Sequence, residues 1–138
     1  MQKPVHALAA LACAGATAIA LLLAAGPLGA QQPGFTRAVL QTQDLSTPNR
    51  NAVVARAEFA PGGAAGKHTH PGEELGYILE GTLQLEIDGS PPVTLKAGDV
   101  FFVPAGVPHD GKNLGTVPAK VLATYVVEKG KPVATPVK

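Results

Sequence analysis

The chain has 138 residues, and its 11 basic and 10 acidic side chains leave a formal net charge of +1 at pH 7. This near balance excludes the strongly basic surface with which proteins hold nucleic acids or anionic membranes. The length supports a single domain with one hydrophobic core. The single cysteine, Cys13, excludes a disulfide bond within the chain.

The first 30 residues differ from the rest and predict a secretory signal peptide. A short start that contains Lys3 precedes residues 7–25, which carry no charge and are almost wholly apolar, and small residues follow. This order is typical of a signal peptide. We therefore expect cleavage after Ala30 and a periplasmic or secreted protein that does not remain in the membrane. The alternative is a retained anchor, because the apolar run is long enough to span a bilayer.

From residue 31 onward the sequence predicts an all-β domain. Its apolar segments are short, rich in β-branched and aromatic residues, and separated by glycine and proline. About eight antiparallel strands at this spacing indicate a sandwich or a barrel, most naturally a double-sheet jelly roll. We expect the domain to cover residues 31–130 and residues 131–138 to form a flexible tail. The predicted strands are residues 36–44, 51–60, 73–80, 82–87, 100–104 and 119–128, with shorter ones within 92–99 and from residue 109.

Two histidines and a glutamate are spaced so that they could share one face of a strand. His68 and His70 are two residues apart, so their side chains point the same way in an extended segment. Glu74 follows four residues after His70 and shares that face if the strand continues without a bulge, whereas Glu73 then points away. Neutral imidazoles and an ionised carboxylate are ligands of divalent transition metals. The alternative is a pair of surface histidines in a glycine-rich loop beside a solvated glutamate.

Two sets of spaced residues resemble the two sequence motifs of the cupin family. Both sets match the motif spacing at every position, and 16 residues (82–97) separate them. The first set is Gly62, His68, His70, Glu74 and Gly81. The second set is Gly98, Pro104, Gly106, His109 and Asn113.

The resemblance implies a cupin-like double-stranded β-helix, which is a jelly-roll barrel of two packed sheets. It further implies one divalent transition metal inside the barrel, bound by His68, His70, Glu74 and His109. The metal could be Zn, Mn, Fe, Cu or Ni, because affinity order alone does not choose among them. Asn113 is expected to be structural and not a ligand.

Other catalytic groups are scarce, so the metal would carry any chemistry. The only serines after residue 30, Ser46 and Ser90, lie in turns, and no phosphate-binding or dinucleotide fingerprint is present. No catalytic residue is predicted. We expect a metal-binding protein that acts on a small molecule as a dioxygenase-like oxidoreductase. The alternatives are a non-catalytic metal or ligand carrier, and a metal-dependent isomerase or lyase, since one fold hosts many chemistries.

Alternation from Glu74 places Ile78 inside the barrel and Tyr77 on the other face. One of Phe101 and Phe102 should line the interior, and Tyr77 or Tyr125 could donate a hydrogen bond to a substrate.

The resemblance also implies a homodimer that pairs through edge strands. The apolar segments 119–127 and 52–59 could supply such an edge. The alternative is that both strands belong to the core.

Overall fold

The computed structural model describes residues 32–138, and the predicted signal peptide lies outside the described residues. Periplasmic or secreted location therefore stays a prediction. Within the described range no helix is long and apolar enough to cross a membrane. The described chain consists of ten strands. They are β1 (Phe35–Asp44), β2 (Arg50–Phe59), β3 (His68–Thr69), β4 (Gly72–Glu80), β5 (Thr82–Ile87), β6 (Val93–Lys96), β7 (Val100–Val103), β8 (His109–Lys112), β9 (Ala119–Glu128) and β10 (Thr135–Pro136).

The strands form two antiparallel five-stranded sheets that face each other. The first sheet has the order β1-β2-β9-β4-β7, and the second has the order β10-β3-β8-β5-β6. The chain crosses repeatedly between the sheets, so that β4 lies in the first and β5 in the second. The predicted all-β double-stranded β-helix is confirmed.

The core fills the space between the sheets, and strand alternation decides which side chains enter it. Every second residue of β9 is buried, including Val121 and Tyr125. Ile78 is fully buried and Tyr77 is exposed, as the alternation predicts. Of the two adjacent phenylalanines, Phe101 packs against the core and Phe102 is exposed.

The segments proposed as a dimer edge are interior strands, so that assignment is wrong. Residues 52–59 belong to β2, which pairs with both β1 and β9. Residues 119–127 belong to β9, which pairs with both β2 and β4. Their backbone hydrogen-bonding groups are therefore already used on both sides. The edges of the first sheet are β1 and β7.

The C-terminal segment, residues 131–138, takes part in the second sheet. Its strand β10 pairs with β3, with Pro136 opposite His68. The Val137 amide donates to the Lys67 carbonyl at 2.9 Å. The expected domain boundary at residue 130 therefore does not coincide with the end of the hydrogen-bonded sheet.

Candidate metal site

The four predicted ligand residues converge between the two sheets. His68 on β3 and His109 on β8 are directly opposite each other in the second sheet. Glu74 lies on β4 in the first sheet, and His70 lies in the connection between β3 and β4. Two facing sheets and one connection therefore supply the site.

The expectation that His68, His70 and Glu74 lie along one continuous strand is wrong. Strands β3 and β4 belong to different sheets, and Pro71 lies between them. Proline lacks the N–H that a sheet ladder requires, so the strand is interrupted there. The Glu74 carboxylate approaches the histidines because its sheet faces theirs.

All four side chains are buried, with between 2% and 7% of their surface exposed. The imidazole rings of the three histidines lie close together, with centroid separations of 4.3 to 4.9 Å. One nitrogen from each ring lies within 4.8 Å of the others. The three histidines could therefore hold a metal ion.

Backbone carbonyls orient all three imidazoles. A carbonyl oxygen can only accept a hydrogen bond, so each Nδ1 that contacts one must carry the proton and donate it. In a neutral ring, Nε2 is then left with a free lone pair, which is the form that binds a metal. The acceptors are the carbonyls of Gly66 for His68 (2.6 Å), Val133 for His70 (2.5 Å) and Val107 for His109 (2.9 Å).

The Glu74 carboxylate faces two of these nitrogens. Its Oε2 lies 3.2 Å from Nε2 of His70 and 3.1 Å from Nε2 of His109. If both rings are neutral with the proton on Nδ1, these contacts join acceptors to acceptors, and a proton or a cation must lie among them. Two ligand atoms bound at about 2.1 Å to one metal ion lie about 3.0 Å apart at right angles and about 3.4 Å apart in a tetrahedral site. The observed separations lie between these values and so are compatible with two ligands of one ion.

Glu74 is the charged partner in this group. Burial alone would raise the pKa of its carboxyl, but in the metal-free protein a proton shared with Nε2 of His109 or His70 outweighs burial and holds the pKa below its usual range. An ionised carboxylate suits a divalent cation and offsets part of its charge.

The burial of His68 predicts how the stability of the metal-free protein depends on pH. Burial lowers the pKa of its imidazole to about 4, whereas in the unfolded chain it titrates near 6.5. The unfolded state therefore binds more protons between these values, and the free energy of unfolding should rise by up to about 3 kcal/mol from pH 4 to pH 6.5. Chemical denaturation across this range should show a smaller rise for His68→Asn. If the free energy of unfolding rose equally steeply with pH in both proteins, the lowered pKa of His68 would be contradicted.

Arg37, for which the sequence pattern predicts no role, lines the same cavity as three of the four predicted ligands. The cavity has a volume of about 30 Å³ and is bordered by His68, Glu74, His109, Arg37 and Tyr125. Strand alternation could have placed Arg37 on the inner face, because it follows the buried Phe35 by two residues on β1 and so shares its face. The apolar part of the wall includes Phe35, Phe59, Leu83, Leu85, Phe101 and Val121.

Tyr125 is buried and lies directly against the site. Its ring centroid is 4.6 Å from that of His70. Burial and the nearby Glu74 carboxylate raise the pKa of the Tyr125 phenol, so the hydroxyl keeps its proton at neutral pH. Tyr125 can therefore act as a hydrogen-bond donor toward the cavity.

Asn113 is structural, as predicted. It is fully buried, and its Nδ2 donates to the carbonyls of Phe59 at 3.1 Å and Val117 at 2.7 Å. Its Oδ1 accepts from the Gly115 amide at 2.9 Å. These bonds join the end of β2 to the loop that follows β8.

The chain matches known proteins in sequence. The family model described as a cupin domain matches residues 55–125. Germin-like protein subfamily 2 member 1 of Arabidopsis thaliana is 36% identical over 110 residues, which cover 70% of this chain and 50% of the relative. The chain thus spans about half the length of this curated relative.

Solved structures resemble the chain as well. An oxalate oxidase in complex with the substrate analogue glycolate has a TM-score of 0.61 and 25% identity, over 75% of this chain and 55% of that chain. A predicted oxalate decarboxylase from Thermotoga maritima has a TM-score of 0.58 and 32% identity, over 67% of this chain and 80% of that chain.

Proposed function

The chain belongs to the cupin family, and from this membership and the site geometry we propose that it is a metal-dependent protein acting on a small molecule. The proposed ligands of one divalent transition metal are His68, His70, Glu74 and His109. One observation carries the proposal: every Nδ1 is bonded to a backbone carbonyl, which leaves Nε2 of each ring to bind a metal, and one nitrogen of each ring lies within 4.8 Å of the others.

We propose that the activity is that of a dioxygenase-like oxidoreductase. A divalent metal held by imidazoles and a carboxylate supplies Lewis acidity or oxygen activation when bound. The mixed nitrogen and oxygen ligands suit Zn, Mn, Fe, Cu and Ni, and affinity order alone does not choose among these metals. The apolar wall excludes bulk water, and the Tyr125 hydroxyl can donate a hydrogen bond to a bound substrate. The solved oxalate oxidase with its substrate analogue supports an oxidoreductase of this fold.

A second candidate is a lyase that uses the metal as a Lewis acid. The protonated Tyr125 phenol beside Glu74 favours it, because a positioned donor can protonate a carbanion or a leaving group. The similarity to a predicted oxalate decarboxylase supports the same reaction class. An isomerase that uses the metal in the same way and a carrier without turnover are the remaining alternatives.

Metal loading followed by turnover assays tests these alternatives. The purified protein is stripped of metal and reloaded separately with each of the five metals. Oxygen uptake is then measured against a panel of small acids, enediols and catechols. Oxygen uptake with one metal supports the oxidoreductase, and substrate loss without oxygen uptake supports the lyase. Stoichiometric metal with no turnover under any loading would overturn both and leave the carrier.

We also propose a homodimer, through a different surface from the one expected. Val100 and Phe102 on the edge strand β7 are 70% and 53% exposed, and Leu75 and Tyr77 of β4 are exposed beside them. We call these four residues the β4–β7 patch. It contains no charged side chain, so two copies could pack across a two-fold axis without burying unpaired charge.

The Phe102→Asp variant is expected to be monomeric where the wild type is dimeric, because a buried carboxylate would oppose packing of the β4–β7 patch. Light scattering over a range of concentrations measures the mass. Val39→Asp is the matched control, since Val39 is an equally exposed apolar residue on the opposite edge strand, β1. A dimer that persists in Phe102→Asp, or a monomeric wild type, would contradict the proposal.

A further inference from the structure

Arg37 places a permanent positive charge on the inner face of the first sheet. It lies on β1 opposite Ala57, and Phe35 lies opposite the buried Phe59 two residues earlier. The small side chain of Ala57 leaves room for the guanidinium to extend into the space between the sheets. Arg37 lies outside residues 55–125, the segment that matches the family model, so the family match does not account for it.

Aromatic rings, and not a carboxylate, hold the guanidinium in place. Its central carbon lies 5.3 Å from the ring centroid of Phe35 and 5.6 Å from that of Tyr125. These are distances at which a cation is attracted to the face of an aromatic ring. Among residues 32–138, no carboxylate oxygen lies within 4.0 Å of an Arg37 nitrogen. The charge is thus positioned but not neutralised by an ion pair.

One donor of Arg37 has no acceptor. Its Nε is buried and makes no hydrogen bond within the described part of the chain. A buried donor without a partner is unfavourable, and such groups in folded proteins are uncommon away from sites of function. An acceptor supplied by a ligand would satisfy it.

The cavity relates this donor to the candidate metal site. Arg37, His68, Glu74 and His109 border the same small space, so a ligand of a few atoms that contacts Arg37 is also near the imidazoles. Glu74 is the only acidic residue of that lining, and its Oε2 already faces His70 and His109. Among the described lining residues the formal charges of Glu74 and Arg37 offset each other, so a bound divalent metal leaves two positive charges that an anion would balance.

We propose that Arg37 is the residue that recognises the substrate, and that the substrate is a small carboxylic acid. This inference rests on the metal-dependent function proposed above and adds its substrate class. The planar guanidinium presents parallel N–H groups that match the two oxygens of a carboxylate. The cavity volume of about 30 Å³ is roughly twice what a single water molecule needs, so it admits an acid of very few atoms and excludes a larger one. A neutral molecule of the same shape would leave the Arg37 charge unpaired.

Formate and its neutral counterpart formamide are the probes, because they differ in charge and hardly in shape and have only three heavy atoms each. Calorimetric titration into the zinc-loaded protein measures their dissociation constants without redox turnover. We expect formate to bind at least tenfold more tightly than formamide. Arg37→Gln should lower that preference by about tenfold, the remainder being due to the metal charge, and Arg37→Lys should keep more of it because the charge remains without the planar fork.

Arg56→Gln is the matched control. Arg56 lies on the neighbouring strand β2, is exposed, and pairs with Glu58 at 2.7 Å. Its removal changes the net charge as Arg37→Gln does but should leave the preference unchanged. Metal content is measured in every variant. An Arg37→Gln protein that retains metal and the full preference for formate, or a wild type that does not distinguish the probes, would overturn the inference.

The metal-free protein distinguishes failure of this inference from failure of the proposed function. Formate should shift the NMR signal of the Arg37 Nε–H, and formamide should not. A shift in a protein that binds no metal would support Arg37 as an anion site while refuting the metal-dependent function. Stoichiometric metal binding with no formate-induced shift, in either the free or the loaded protein, would refute the Arg37 inference alone.

Discussion

His70→Ala is expected to abolish stoichiometric metal binding. His70 is one of the three proposed imidazole ligands, and its Nε2 lies 3.2 Å from the Glu74 carboxylate. Loss of a partner that merely orients a ligand typically weakens metal binding by about 10- to 100-fold. Loss of a ligand should therefore weaken it by at least about 100-fold. Elemental analysis after dialysis should find about one metal ion per wild-type chain and a background level in the variant.

Thr69→Ala is the matched control for His70→Ala. Thr69 lies between the two histidines of the HxH segment and is only partly buried. Thr69→Ala truncates a side chain at the adjacent position without removing a proposed ligand, so metal content should be unchanged. Stoichiometric metal in His70→Ala would refute the proposed ligand set.

Thermal stability gives a second reading of the same variant. A metal that binds only the folded state raises the free energy of unfolding by about 2.7 kcal/mol at a concentration 100 times its dissociation constant. The wild type should therefore melt at a higher temperature when metal is added, and His70→Ala should not. Retained strand content in circular dichroism shows that the variant has lost the ligand and not the fold.

Much of the candidate site could be predicted from sequence, although one step of the reasoning was wrong. The spacing of His68, His70, Glu74 and His109 selects four side chains that the structure does bring together. Alternation along a single strand was the wrong reason for Glu74, since Pro71 separates strands of two different sheets. The motif spacing identifies residues that meet in the folded protein whatever the local backbone geometry is. Strand alternation instead assumes one continuous strand, which a single proline can interrupt.

What sequence could not provide depends on contacts between distant parts of the chain. Whether an apolar strand is central or at an edge depends on which strands it meets, so β2 and β9 were misassigned as a dimer edge. Arg37 was overlooked because a charged residue in a strand is usually assigned to solvent. The carbonyl of Val133 is a backbone atom 63 residues from His70, and no side-chain pattern marks it.

Shortening the C-terminal segment is therefore expected to weaken the metal site without unfolding the barrel. The Val133 carbonyl accepts the Nδ1 proton of His70, and this bond keeps Nε2 unprotonated and aimed at the site. A variant that ends at Gly130 loses the bond together with β10. Nine strands and the main core remain, so the fold should persist, while metal affinity should fall by about 10- to 100-fold.

A variant that ends at Ala134 separates the carbonyl from the strand. It keeps the Val133 carbonyl as an amide but loses β10 and the bond from the Val137 amide to Lys67. Competition with a metal-responsive chelator gives the dissociation constant of each protein. If the carbonyl matters, the Ala134 variant should bind metal much more tightly than the Gly130 variant. Equal losses would assign the effect to strand pairing against His68, and wild-type affinity in both would show that the segment does not support the site.

Nitrogen NMR of His70 measures the position of the proton directly, because only loss of the carbonyl should let the proton move from Nδ1 to Nε2 in the metal-free protein.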